Sequence, residues 1–137
     1  MIRAFNQMYR MPVADLPTLD AVGDYMQRMR DFKKILTNEI NEIDDIIAAA
    51  EQGATPLQTL TNLADLFADI TVYSCSEMAK FGIPHDEVLS IVMESNFSKM
   101  GEDGKPIFDE HNKLQKGPSY WKPEPKIEAL LALKGAQ

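Results

Sequence analysis

From Val22 to Ala50 the apolar residues recur in steps of three and four: Val22, Met26, Met29, Leu36, Ile40, Ile43, Ile47 and Ala50, with Phe32 and Lys33 sharing the intermediate turn. Only a helix turns at that period, so the spacing predicts one long amphipathic helix whose stripe faces a core or a coiled-coil-like seam. Thr18 is placed to cap it, Asp20 lies in its first turn and Gly53 stops it. Thr55-Pro56 opens a second helix with a cap hydroxyl followed by proline at the first turn. Its apolar face runs through Leu60, Leu63, Phe67, Ile70, Ser74, Met78 and Phe81, and Gly82 closes it. A third helix is expected from about Pro84 to Met100, a last short one over 124–133, and one short amphipathic helix over 2–9. Residues 101–123 read as an irregular, lysine-bearing segment with a small hairpin around Glu110-His111-Asn112. The expected fold is all-α: one domain over 1–137, an antiparallel bundle of four to five helices.

Charge and cysteine usage narrow the function classes. A formal net charge of −7 argues against a nucleic-acid binder, which needs a basic face. No apolar run approaches the length of a membrane span, and the first residues, MIRAFNQMYRMP, lack the apolar centre of a signal peptide. Cys75 is the one cysteine, so no disulfide forms within the chain. A reducing, cytoplasmic setting is the expectation, with Cys75 a core thiol.

The acidic residues are not evenly spread. Glu39 and Glu42 sit three apart on the long helix, and Asp65 and Asp69 four apart on the next, so each pair shares a face. Glu39 lies about fourteen residues before Gly53 and Asp65 about twelve after it. In an antiparallel pair, both sets then reach the same height to within roughly one turn of 5.4 Å. Converging carboxylates repel one another and are costly to desolvate, and a hard divalent cation relieves both costs. All-oxygen ligation suits Mg²⁺, with Mn²⁺ as its substitute, rather than Zn²⁺. The plainer reading is that these are solvated surface carboxylates. His85 and His111 lie outside both helices, which argues against a di-iron carboxylate bundle.

Several blocks in order carry a resemblance. Asn38-Glu39-Ile40-Asn41-Glu42 is followed by Asp65-Leu66-Phe67-Ala68-Asp69-Ile70-Thr71-Val72-Tyr73, then Phe81-Gly82-Ile83. Glu94-Ser95-Asn96-Phe97-Ser98-Lys99 comes next, and Lys116-Gly117-Pro118 with Tyr120 and Pro123 closes the series. Over nearly its whole length the chain resembles the all-α nucleoside triphosphate pyrophosphohydrolases, the MazG-like and phosphoribosyl-ATP pyrophosphohydrolase-like group. The resemblance implies Mg²⁺-dependent hydrolysis of a nucleoside triphosphate to the monophosphate and pyrophosphate, as nucleotide-pool house-cleaning. It also implies a homo-oligomer, dimer or tetramer, because the family completes its site with a second subunit. Glu39, Glu42, Asp65 and Asp69 inherit the metal-ligand role, and Glu39 and Glu42 the catalytic one. Asn96, Lys99, Lys116 and Tyr120 inherit contact with the nucleotide.

The chain departs from the family pattern at two places. Asn38 stands where many members have the first glutamate of the block, and Leu66 where members with Glu-x-x-Asp have a glutamate. Those departures motivate an alternative, a catalytically lapsed nucleotide-binding regulatory module. A second alternative is a purely structural helical dimer that uses the Val22 to Ala50 stripe as its interaction face.

Overall fold

A computed structural model describes residues 1–136. Among them it contains five α-helices and one 3₁₀ turn, with no strand beyond a single isolated bridge, so the fold is all-α. The helices are α1 (Ile2–Met8), α2 (Tyr25–Glu51), α3 (Pro56–Lys80), α4 (His85–Phe97) and α5 (Glu124–Leu133), and the 3₁₀ turn spans Asp20–Val22. Among the described residues no helix is long and apolar enough to cross a membrane. The chain divides into two compact units, Met1–Gly82 and the residues from Ile83 onward.

In the first unit α2 packs on α3, and α1 packs on α3. The start of α2 differs from the sequence expectation. Gly23 takes φ +69° and breaks the predicted helix, so Thr18, which accepts from Asp20 N at 3.1 Å, lies ahead of a separate 3₁₀ turn and does not cap α2. Asp24 caps α2 instead, accepting from Gln27 N at 3.0 Å. The other end follows expectation. Gly53 adopts φ +96° just beyond α2, and Thr55 with Gln58 forms a full capping box at α3 with Pro56 in its first turn.

The connector between α1 and α2 runs back along the end of α3. Ala14 N donates to Ala79 O at 3.1 Å and Thr18 N to Phe81 O at 3.0 Å, which satisfies carbonyls that a helix end leaves open. A Cβ on Gly82 would lie 2.2 Å from Leu16 O, so only glycine fits that crossing. Asn6, fully buried on α1, donates to Ser76 O at 3.0 Å and accepts from Ser76 Oγ at 2.7 Å.

The polar clamp between the two long helices is Glu77. It accepts from Arg28 Nε at 2.8 Å, from Arg28 Nη2 and from Lys80 Nζ. Burial pushes the Glu77 carboxyl up, but the hydrogen bonds and charges of Arg28 and Lys80 outweigh it and hold the group below the usual carboxylate range.

The apolar stripe is not covered within the chain. The buried apolar side chains are Ala14, Leu66 and Ala79, whereas Met26, Met29, Ile40 (54% exposed), Ile43 and Ile47 on α2 lie open. Leu57, Leu60 and Phe67 (59% exposed) on α3 are open as well. The stripe expected to face a core or a coiled-coil-like seam is therefore largely exposed, with Val22, Phe32 and Leu36 half-buried.

In the second unit α4 packs on α5, and Lys134 pairs with Glu87 at 2.8 Å. The expected hairpin is present: Phe108 bridges Leu114, Asp109 N donates to Lys113 O at 3.0 Å, and Asn112 takes φ +60° at the tip. Ser95 Oγ donates to Trp121 O at 2.8 Å and Ser98 Oγ accepts from Trp121 N at 3.2 Å, which fixes the irregular segment against α4.

Removing one member of a buried charge network leaves the others unpaired. Glu77→Gln is expected to lower stability by about 3 kcal/mol, read by denaturant unfolding at pH 7. A lowered folded-state pKa stabilises above the ordinary glutamate value of about 4.3, and that stabilisation is lost as pH falls through the folded value. The wild type should therefore lose stability in acid more steeply than Glu77→Gln.

Candidate functional site

The antiparallel register of α2 and α3 decides which carboxylates meet. Moving along α2 away from the Arg28–Glu77 clamp, each turn faces an earlier turn of α3. Glu39 stands opposite Asp69 and Tyr73, and Glu42 opposite Asp65. The pocket shared by Glu42 and Asp65, of about 340 Å³, also takes in Asp45, Asn62 and Leu66. The four predicted carboxylates thus lie along one stretch of the helix pair, in two neighbouring groups.

The electrostatics register the crowding. The Glu39 carboxyl is pushed up by partial burial and by the negative charges of Glu42 and Asp69, against a lowering hydrogen bond from Tyr73. The Tyr73 hydroxyl is pushed up in turn by Glu39, by burial and by Asp69. Like charges held this close favour a bound cation or proton. Every donor in the two groups is oxygen, which matches a hard divalent ion. Among the described residues no three His, Cys, Asp or Glu side chains close into a ready-made metal cage. Mg²⁺ requires no such cage, because it commonly takes one or two carboxylates and completes its shell with water and phosphate oxygens.

Leu66 gives a physical reason for one departure from the family pattern. It is 2% exposed, so this position is a packing site in this chain and a glutamate there would be buried. Asn38 lies exposed on α2, with nothing around it that demands asparagine.

The remaining predicted residues belong to the second unit and gather there. Lys99 Nζ donates to Asn96 Oδ1 at 2.7 Å, and Lys116 Nζ lies 4.6 Å from the Tyr120 ring centroid. Gly117 N donates to Lys99 O at 2.9 Å, which brings the two pairs side by side. A Cβ on Gly117 would lie 2.0 Å from Met100 O, so the Lys-Gly-Pro sequence makes a close crossing that glycine alone permits.

Sequence reasoning had assigned no role to Asp45 and left Tyr73 within a motif. Both carried a usable signal: Asp45 follows Glu42 by three and Tyr73 follows Asp69 by four, so each continues a face already marked. Asn62, three before Asp65 and so on the same face, also lines the pocket.

No protein-family model and no curated protein matches the chain. Among solved structures, the chain is similar to one described as a "putative NTP pyrophosphohydrolase" from Exiguobacterium sp. 255-15. The TM-score is 0.54 at 22% identity, over 96% of this chain and 92% of the other. At that identity the likeness establishes a shared fold. Substituting Glu39→Gln removes one repelling charge, so in metal-free buffer at neutral pH the variant is expected to melt no lower than the wild type. A clear drop in melting temperature would show that Glu39 serves the fold instead of a site. The all-α chain shares the fold of the Exiguobacterium protein.

Proposed function

We propose that the chain is a Mg²⁺-dependent nucleoside triphosphate pyrophosphohydrolase, releasing pyrophosphate and the nucleoside monophosphate. The observation that carries the reading is the facing of Glu39 with Asp69 and of Glu42 with Asp65 across α2 and α3, where carboxylate charge accumulates. The likeness of fold to the Exiguobacterium protein supports it.

Glu39, Glu42, Asp65 and Asp69 would hold Mg²⁺, or Mn²⁺ in its place, with Asp45 and Asn62 as further oxygen donors. Once bound, such an ion neutralises phosphate charge and makes a water easier to deprotonate. A glutamate of this block, Glu39 or Glu42, would orient or deprotonate the attacking water. That water attacks phosphorus, and the phosphoanhydride bond to the pyrophosphate group breaks. Asn96, Lys99, Lys116 and Tyr120 supply one amide, two cations and a ring suited to the nucleotide, with lysine serving as a point charge for phosphate.

The uncovered stripe supports a homo-oligomer, dimer or tetramer. Contiguous apolar side chains such as Met26, Met29, Ile40, Ile43 and Ile47 call for a covering surface, and a second copy presents the same stripe. A house-cleaning role in the cytoplasm fits the lone thiol and acidic charge. The alternative, a lapsed nucleotide-binding module, rests on Asn38 and Leu66, neither of which offers a carboxylate where the family pattern has one.

Purified protein incubated with a panel of nucleoside triphosphates should release pyrophosphate only when Mg²⁺ is present. Glu42→Gln should reduce turnover by about a hundredfold or more while leaving the melting temperature in place. Full activity in that variant would remove the assignment, and binding without turnover in the wild type would favour the lapsed module. Sedimentation at micromolar concentration should give a dimer or tetramer, and a monomer at all concentrations would refute the assembly.

A further inference from the structure

The open stripe of α2 has an internal symmetry. Turned end for end about a point level with Asn38, the helix lays its stripe on itself: Met26 falls on Ala50, Met29 on Ile47, Lys33 on Ile43 and Leu36 on Ile40. Taken as heptads, Met26, Lys33, Ile40 and Ile47 occupy a positions, and Met29, Leu36, Ile43 and Ala50 occupy d positions. An antiparallel pair of helices sets a against d. A two-fold contact between identical chains further requires that one residue meet a second wherever the second meets the first. The α2 stripe satisfies both conditions, and Met26, Met29, Ile40, Ile43 and Ile47 leave it exposed over roughly 30 Å of helix.

The charges beside the stripe discriminate between orientations. Arg30 and Asp44 fall at e positions, on the edge of the seam opposite the one where Glu39 and Ile46 turn toward α3. Both are exposed, and neither joins an ion pair among the described residues. In an antiparallel pair Arg30 of one copy lies against Asp44 of the other, twice by symmetry, and Lys33 reaches the same carboxylate from its a position. On the other edge Phe32 meets Ile46, both half-buried in the single chain. The one unfavourable meeting is Glu39 with its own counterpart near the axis. A parallel pair in register instead stacks Lys33 on Lys33 inside the seam, sets Glu39 beside Asp44 and gives Arg30 only Tyr25. Two ion pairs against one repulsion favour the antiparallel arrangement, where the parallel one has repulsions alone. A register one heptad away in either direction leaves one end of the stripe without a facing residue, because α2 runs only from Tyr25 to Glu51.

Resting on the homo-oligomer reading above, we propose that two copies of the chain join through α2 in an antiparallel seam whose two-fold axis lies level with Asn38. The apolar stripe seals the seam, and Arg30 of each copy pairs with Asp44 of the other. Lys33, a cation within an otherwise apolar row, works against the parallel alternative by placing like charges face to face there.

Spin labels on single cysteines along α2, in a Cys75→Ser background, read the seam directly. Across the proposed axis two labels at Asn41→Cys lie within roughly 10 Å of one another along the helix, and two at Glu51→Cys about 40 Å apart, from the rise of 1.5 Å per residue. The distance between copies by electron–electron double resonance should therefore be far longer at position 51 than at position 41. Equal distances, or the longer one at 41, overturn the seam. Charge reversal gives a second readout. Arg30→Glu sets like charges against Asp44 at two places and should weaken self-association roughly tenfold or more with helix content retained, and adding Asp44→Arg should restore it. An assembly indifferent to Arg30→Glu, or not rescued by the double change, counts against the proposal. Sedimentation separates the two readings: an oligomer with the wrong distances sinks the seam alone, and a monomer at all concentrations sinks the seam and the oligomer together.

Discussion

The antiparallel pairing of α2 with α3 is the contact from which the rest of the first unit takes its geometry. Its polar anchor is the Glu77 carboxylate, buried and held ionised by Arg28 from the opposite helix and Lys80 one turn along its own. Charges this deep are costly unless each finds a partner, so the clamp tolerates little slippage between the helices. With that register set, Glu39 must face Asp69, and Glu42 must face Asp65. The same register leaves a cavity beside the clamp, lined also by Phe5 and Tyr9 of α1.

The chain devotes this geometry to holding like charges together, and it does so with little core of its own. Crowded carboxylates raise the free energy of the folded state until a cation or proton joins them. The exposed Met26, Ile40, Ile47 and Phe67 leave apolar area in water that a partner surface would remove. Both features leave a folded chain whose stability would rise with whatever neutralises the carboxylates or covers the stripe. The tight crossings at Gly82 and Gly117 act differently. Each places a connecting segment against a helix end where no side chain fits, so the loops bearing Leu16 and Lys116 follow defined paths.

Much of this was legible before any coordinate. The steps of three and four, the Thr55-Pro56 start and the glycines at 53 and 82 determine α3 and the end of α2, because helix period and capping chemistry are local properties. Residue counting to the turn placed the carboxylates at one height, since rise per residue is a constant. The start of α2 was misread because Thr18 and Asp24 are both good caps, and the sequence does not reveal that Gly23 turns to positive φ between them.

Which groups lie buried, and whom they meet, follows from long-range packing. Glu77 and Lys80 look like ordinary surface residues of a helix, yet Arg28, forty-nine positions away from Glu77, makes them a buried clamp. Leu66, where the family pattern can carry a glutamate, is a buried packing residue, which only the fold reveals. The stripe from Met26 to Ile47 could be read as core until the fold left it open. The helices, most of their ends and the carboxylate spacing are set by neighbours within a few residues, and so are written in local pattern. Burial and charge pairing depend on contacts between residues far apart in the chain, and no local pattern encodes them.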